Sequence, residues 1–291
     1  MKVDHYRLDG SHPCNLSDLP CAAPKDAPGK AEAKLKTAAN LERLAELQDR
    51  FYADGREGLI VILQALDAAG KDSTIKHVMS GLNPQGVKVT SFKQPSSEEL
   101  RHDYLWRVHK ALPERGQIAI FNRSYYEDVL VVQVHNMQKN YHMAPRVLKD
   151  APETFFEKRY RQIRGYEEYL YENSFRVLKI FLHLSKDEQK KRFLQRIDTP
   201  AKNWKFSAAD VEERQYFERY NKTFERVIDA TATEHSPWYA LPADDKWYTR
   251  LLVSELMVNA LERCAPAYPT LSEEDQARLA DCRARLLAEE D

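Results

Sequence analysis

Leu63-Gln64-Ala65-Leu66-Asp67-Ala68-Ala69-Gly70-Lys71-Asp72-Ser73-Thr74 continues an unbroken apolar run that begins at Gly58, and its reading decides the fold. The run Gly58-Leu59-Ile60-Val61-Ile62-Leu63 has the length and composition of a strand buried on both faces of a parallel sheet. Residues Ser73 to Met79 predict a short helix, which Gly81 is placed to end. A strand, a glycine-lysine turn and a helix bring several backbone N–H groups and one ammonium to a single point, which suits a phosphate chain. Against the spacing Gly-x-x-x-x-Gly-Lys-[Ser/Thr], Ala65 replaces the first glycine and Asp72 the hydroxyl residue. The spacing alone therefore also admits a plain strand-turn-helix with a surface lysine. Asp67 favours phosphate: a carboxylate beside phosphates repels them unless a divalent cation lies between.

Composition bounds the rest. The chain has 291 residues, a net charge of −1, 43% hydrophobic and 31% charged residues. That suits one large α/β unit with an ample core. A near-neutral balance gives no global attraction to nucleic acid, so a polyanion must be met by a local basic patch. No apolar run approaches the roughly 18 residues of a membrane span, and the first residues do not begin a signal peptide. The expectation is a cytoplasmic protein with neither nucleic-acid nor membrane partners. Cys14, Cys21, Cys264 and Cys282 lack metal-ligand spacing and read as isolated thiols. His102, His109 and His142 read as ordinary polar residues, and no zinc site is evident.

Residues 1–30, with Pro13, Pro20, Pro24 and Pro28, predict an extended arm wrapping the domain or a partner. A helix is expected over 32–53, with Leu35, Leu41, Leu44, Leu47 and Phe51 on one stripe. Strand patterns fall at 59–63, 87–92, 117–121, 176–184 and 238–241, with helices at 97–112 and 152–172 among those between them. Such alternation gives a parallel sheet flanked by helices, with ligands at the carboxyl ends of the strands. Residues 31–265 thus read as one α/β unit, and 266–291 as a tail whose residues 271–289 are a charged amphipathic helix.

The strand at 117–121 runs straight into Asn122-Arg123-Ser124-Tyr125-Tyr126-Glu127-Asp128. Arg123 suits bidentate binding of phosphoryl oxygens. Glu127 and Asp128 are acceptors for an amine, a sugar hydroxyl or a hydrated ion, or else helix caps and surface charge. After the fourth strand, Ser185-Lys186-Asp187-Glu188 reads as a capping box. A basic helix and loop follow, carrying Arg192, Arg196, Lys202, Trp204 and Lys205, with Ser207 capping the exit. A basic helix-loop-helix over a phosphate site is the form of a kinase lid, here about 186–226; the plain alternative is a solvated helix face.

Four stretches together resemble the second family of polyphosphate kinases: Leu66 to Asp72, Phe121 to Asp128, Lys191-Arg192-Phe193 through Phe206, and Trp238 to Lys246. The resemblance covers roughly residues 30–265. It implies a P-loop kinase-like (thymidylate-kinase-like) fold with a helical lid, and phosphate transfer between inorganic polyphosphate and nucleotides with Mg²⁺ or Mn²⁺. It also makes Ala65 and Asp72 regular. Common ADP-preferring members carry an aspartate followed by Arg-Ser-Trp-Tyr-Asn-Arg; Asn122, Tyr125, Glu127 and Asp128 instead resemble the subgroup accepting AMP and ADP. Asn122, standing where those members have the aspartate, removes one possible metal ligand that the resemblance would imply. Carried over by motif, Asp67 is the metal-linked carboxylate, and Lys71 and Arg123 are the phosphate clamps. Ala68, Ala69, Gly70, Asp72, Ser73, Thr74 and the lid cations line the polyphosphate, while Asn122, Glu127, Asp128 and Trp204 face the nucleotide. Adenine nucleotides are the expected acceptors, with guanine nucleotides left open, and a homodimer or homotetramer is expected. Two rivals are an ATP-dependent P-loop nucleotide kinase and a non-catalytic polyanion-binding module.

Overall fold

In the computed structural model, residues 3–289 are described. A six-stranded sheet is built from β1 (Arg7–Leu8), β2 (Gly58–Ala65), β3 (Val87–Ser91), β4 (Ile118–Asn122), β5 (Phe175–His183) and β6 (Trp238–Pro242), in the order β1-β6-β5-β2-β4-β3. Every pairing is parallel except β1 with β6, which is antiparallel. The helices are α1 (Lys30–Asp54), α2 (Lys71–Val78), α3 (Pro152–Glu172), α4 (Lys186–Asp198), α5 (Ala208–Glu213), α6 (Phe217–Thr231), α7 (Lys246–Arg263) and α8 (Glu273–Leu287), with shorter single turns between them.

The two faces follow from the period-2 alternation of the strands. Ile60, Ile62, Ala119, Phe121, Val177 and Phe181 face a core completed by α3 and α6. Leu59, Val61, Leu63, Ile118, Ile120 and Ile180 face the other, completed by α1 and α7. Because both faces are covered, β2 is buried along nearly its whole length and reads as continuously apolar.

All five expected strands form, within two residues at each end, and the helix expected over 152–172 spans those residues. Three expectations need correction. Leu35 is 74% exposed, because the buried stripe of α1 runs through Ala33, Thr37, Leu44, Leu47 and Phe51 and leaves Leu35 on the opposite side. The single helix expected over 97–112 is two separate turns, Glu99–Arg101 and Trp106–His109. The Asp103 carboxylate accepts the Leu105 N–H at 2.9 Å, a local bond that competes with helix continuation. The arm is not simply extended: its Arg7–Leu8 pair adds the antiparallel strand opposite Tyr239 and Trp238.

The arm then crosses to the lid side. The backbone N–H groups of Cys14 and Leu16 donate to Asp229 and Glu225 on α6. Farther along, Ala23 N–H donates to Asp245, and Cys21 accepts from Asp244 N–H, in the turn before α7. Helix α8 has no buried residue. Among the described residues, no helix is long and apolar enough to cross a membrane.

Candidate active site

The carboxyl ends of β2, β4 and β5 converge on one edge, as their parallel register requires. Leaving β2, the chain turns through Ala68, at φ +65°, and Gly70, at φ +104°, into the first turn of α2. A left-handed φ costs an ordinary residue about 1 kcal/mol or more, and glycine little. The loop is held from inside. The Lys71 ammonium donates to the Ala65 carbonyl at 2.8 Å, and Ser73 Oγ to the Gly70 carbonyl at 2.9 Å. Burial, then the nearby Arg123, lowers the Lys71 pKa, which disfavours the ammonium until an anion arrives to offset it. Thr74 is turned into the core and does not line the cleft, unlike the rest of the loop.

Arg123 is the second non-glycine residue held left-handed here, at φ +64°. Its N–H extends the ladder to the Leu63 carbonyl at 3.1 Å, and Ser124 Oγ caps the following turn by accepting Tyr126 N–H. The guanidinium spans two carboxylates, with Nη2 on Asp67 at 2.9 Å and Nη1 on Glu127 at 3.1 Å. Burial works against its charge, but Glu127 and Asp67 outweigh burial and raise its pKa. Gln64 Nε2 donates to the other Glu127 oxygen at 2.8 Å, fixing that carboxylate from the sheet. Asn122 Nδ2 donates to Asp72 Oδ1 at 2.8 Å, tying the second strand end to the loop.

Asp128 departs from its expected role. It is buried, its carboxylate faces Arg159 Nε at 2.8 Å, and it accepts the Tyr141 hydroxyl at 2.6 Å. One turn of 3-10 helix sends consecutive residues in different directions, so Glu127 reaches the site and Asp128 the packing beneath it. Burial raises its pKa against the lowering effect of Arg159.

Arg192 is one of the cations lining the site and is also a buckle between two loops. Its Nε donates to Glu188, Nη1 to the carbonyls of Ala68 and Ala69, and Nη2 to those of Ala243 and Asp244. All five N–H groups are thereby committed. The capping box is only half made: Ser185 Oγ accepts Glu188 N–H, but Ser185 N–H goes to Asp244, leaving Glu188 to Arg192. Ser207 stands at the N-cap of α5 without a side-chain cap bond. Trp204 is 78% exposed and lines neither cavity described below.

Two cavities meet at this edge. A cleft of ≈870 Å³ is lined by nine cationic side chains and only two carboxylates, Asp67 and Asp72. The loop and Arg123 form its floor, while Arg196, Lys202 and Lys205 come from the lid. Lys246 also lines it, and its pKa is lowered by burial, then by Arg192 and Lys202, the mark of cations crowded together. On the other side lies a cavity of ≈40 Å³ bounded by Gln64, Glu127, Phe217 and Tyr220, with Asp210, Glu213 and Arg214 from the lid. Asp67 and Arg123 line both.

A strongly cationic cleft and a mixed polar-apolar cavity share one carboxylate and one guanidinium, over a loop that turns into a helix N-terminus. That is the geometry of group transfer between two anionic substrates. A model of the polyphosphate kinase 2 family matches residues 28–268. This chain belongs to that family. An ADP-polyphosphate phosphotransferase of Rhodopseudomonas palustris is 46% identical over 287 residues, covering 99% of each chain. An AMP/ADP-polyphosphate phosphotransferase of Meiothermus ruber is 46% identical over 242 residues, covering 83% of this chain and 86% of the relative. The crystal structure of polyphosphate kinase 2 from Arthrobacter aurescens superposes with a TM-score of 0.84 at 36% identity, covering 96% of each chain.

In this polyphosphate kinase 2 chain the structure adds cleft residues that sequence reasoning missed: Lys76, Lys93 and Lys246. Lys93 lies just past β3 and Lys246 just past β6, so position after the carboxyl end of a parallel strand was the available signal. Gln64 and Asp210 were missed in the small cavity. Gln64 sits inside an apolar strand, and Asp210 on the short helix α5 with no motif to mark it.

Proposed function

We propose that this protein transfers the terminal phosphoryl group of inorganic polyphosphate to AMP and ADP, giving ADP and ATP reversibly. The observation that carries the reading is that Asp67 and Arg123 line both cavities. Polyphosphate lies in the cationic cleft, with its end at Lys71 and Arg123. The acceptor phosphate enters from the small cavity, where Glu127, held by Gln64, orients the nucleotide. An acceptor phosphate oxygen attacks the terminal phosphorus in line. The bond to the next unit breaks, and the shortened chain leaves with the bonding electron pair. The attacking oxygen is already ionised near neutral pH, so no general base is needed. Arg123, Lys71 and the cleft lysines stabilise charge on the equatorial oxygens.

Among the described residues, no group of three His, Cys, Asp or Glu side chains is arranged to hold a metal. Mg²⁺, or Mn²⁺, fits here in its usual phosphate-bound mode, with one carboxylate plus substrate oxygens and water. Asp67 would hold it, and the ion would neutralise charge on the transferring phosphates. A volume of ≈40 Å³ is too small for a nucleotide, so admitting one requires the segment bearing Asp210, Glu213 and Arg214 to move outward.

The test is chromatographic: purified protein, Mg²⁺, long-chain polyphosphate and AMP, with nucleotides resolved over time. ADP followed by ATP supports the reading. ATP from ADP but nothing from AMP restricts the acceptor to the diphosphate. Silence with both, while ATP plus AMP yields ADP, moves the chain to the ATP-dependent kinases. GMP and GDP serve as the second acceptor pair. Light scattering tests the homodimer or homotetramer, and fractionation of cells the cytoplasmic location.

A further inference from the structure

Beneath the Arg123 turn lies an ionic cluster that the reaction as derived does not use. Lys179, in the middle of β5, is 0% exposed, and Glu167 on α3 is 2% exposed. Their closest oxygen and nitrogen are 2.6 Å apart. The Lys179 ammonium also donates to the Tyr126 hydroxyl at 3.2 Å and to the Thr231 carbonyl, the last residue of α6, at 2.8 Å. Glu167 accepts the hydroxyls of Tyr125 and Tyr126, both at 2.7 Å, and that of Ser236 at 2.9 Å. The ammonium is further flanked by the rings of Tyr126 and Trp238. Burial, reinforced by Glu167, drives both phenols well above their ordinary range, so they remain donors.

A buried ion pair is weak evidence for stability, because desolvation offsets its attraction; its value lies in directional bonds that a hydrophobic replacement cannot supply. Here those bonds reach two places that matter to transfer. Tyr125 and Tyr126 directly follow Arg123 and Ser124, in the turn that presents Arg123 and Glu127. Thr231 ends the helix by which the lid returns to the core. Arg123 itself is held at φ +64°, a conformation that persists only when surrounding contacts over-determine it.

We propose that Glu167 and Lys179 are positioning residues: through the hydroxyls of Tyr125 and Tyr126 they fix the Arg123–Glu127 turn, and through the Thr231 carbonyl they fix the end of the lid's return helix. The inference rests on the proposed phosphoryl transfer for its kinetic consequence, and on geometry alone for its structural one. Tyr126→Phe removes one hydroxyl while keeping the ring and the ion pair. Lys179→Met/Glu167→Met removes both charges together and leaves neither one unpaired. Leu256→Ala, in the opposite core, serves as a matched destabilised control.

The experiment measures steady-state kinetics with polyphosphate and AMP, and amide hydrogen exchange over residues 122–128. For Tyr126→Phe the expected result is a fall in kcat of about 10-fold, a polyphosphate KM within about twofold, and exchange over 122–128 faster by about 10-fold. The double variant, where it folds, shows the larger loss, and Leu256→Ala shows neither effect. Unchanged exchange over 122–128 in Tyr126→Phe overturns the inference whether or not the enzyme turns over. Equal kinetic losses in Leu256→Ala overturn it as well, by reducing the cluster to ordinary stability. Wild-type turnover separately tests the reading of function.

Discussion

Arg123 and Asp67 show how much chemistry one residue pair concentrates. The guanidinium bridges two carboxylates with separate nitrogens, a span that a single ammonium does not reproduce. Arg123→Lys, though it keeps the charge, is expected to lower kcat on the order of 10²-fold, and Asp67→Asn on the order of 10²–10³-fold, the usual loss for a charge-stabilising group. Folded variants with wild-type turnover would remove both roles. His183 sets a different kind of expectation. It ends β5 beside Cys21, its ring is largely buried, and burial lowers its pKa. The folded chain therefore binds that proton more weakly than the unfolded chain. Its contribution to stability is complete above about pH 6.5 and is lost as the pH falls from there through the lower folded value. Melting temperatures should drop between about pH 7.5 and about pH 5.5, and drop less in His183→Gln. Equal drops would place the acid sensitivity elsewhere. At this scale Asp67, Lys71 and Arg123 were legible because each follows the carboxyl end of an apolar strand. Asp128 was not, since adjacent residues in a 3-10 turn diverge and only packing decides which one faces the site.

Elements were legible where their pattern is local and failed where partners are distant. β2 and α3 declare themselves through a continuous apolar run and a long amphipathic period. The segment 97–112 carries a similar period, but Asp103 spends its carboxylate on the backbone and breaks the helix. Helix α4 was legible as basic yet not as a mixture of roles: Arg196 lines the cleft, while Arg192 both lines it and holds four carbonyls of two loops. Nothing in the spacing of Lys190, Lys191 and Arg192 separates a buckle from a ligand. Arg192→Met is expected to destabilise the fold by about 3 kcal/mol or more, because it strands buried carbonyls, each worth about 1–3 kcal/mol. Urea denaturation measures it. A change under about 1 kcal/mol would mean that water replaces those bonds without loss.

For the whole molecule, the contrast between a net charge of −1 and a cleft with nine cations is the deciding quantity. The field that attracts a polyanion is local, and the rest of the surface does not share it. Raising ionic strength from about 0.05 M to about 0.5 M is expected to raise the KM for polyphosphate much more than that for AMP, since many screened charges are lost in one case and few in the other. Parallel rises would argue against the cleft as the polymer's track. Among the described residues the two cavities share only Asp67 and Arg123. On the proposed reading the phosphorylated nucleotide departs on one side while the polymer rests on the other, so neither has to vacate the site for its counterpart to be renewed. A bound chain can then ratchet forward one unit per cycle. Long strands should be consumed one at a time, leaving untouched full-length molecules beside short remnants instead of a population that shrinks in step.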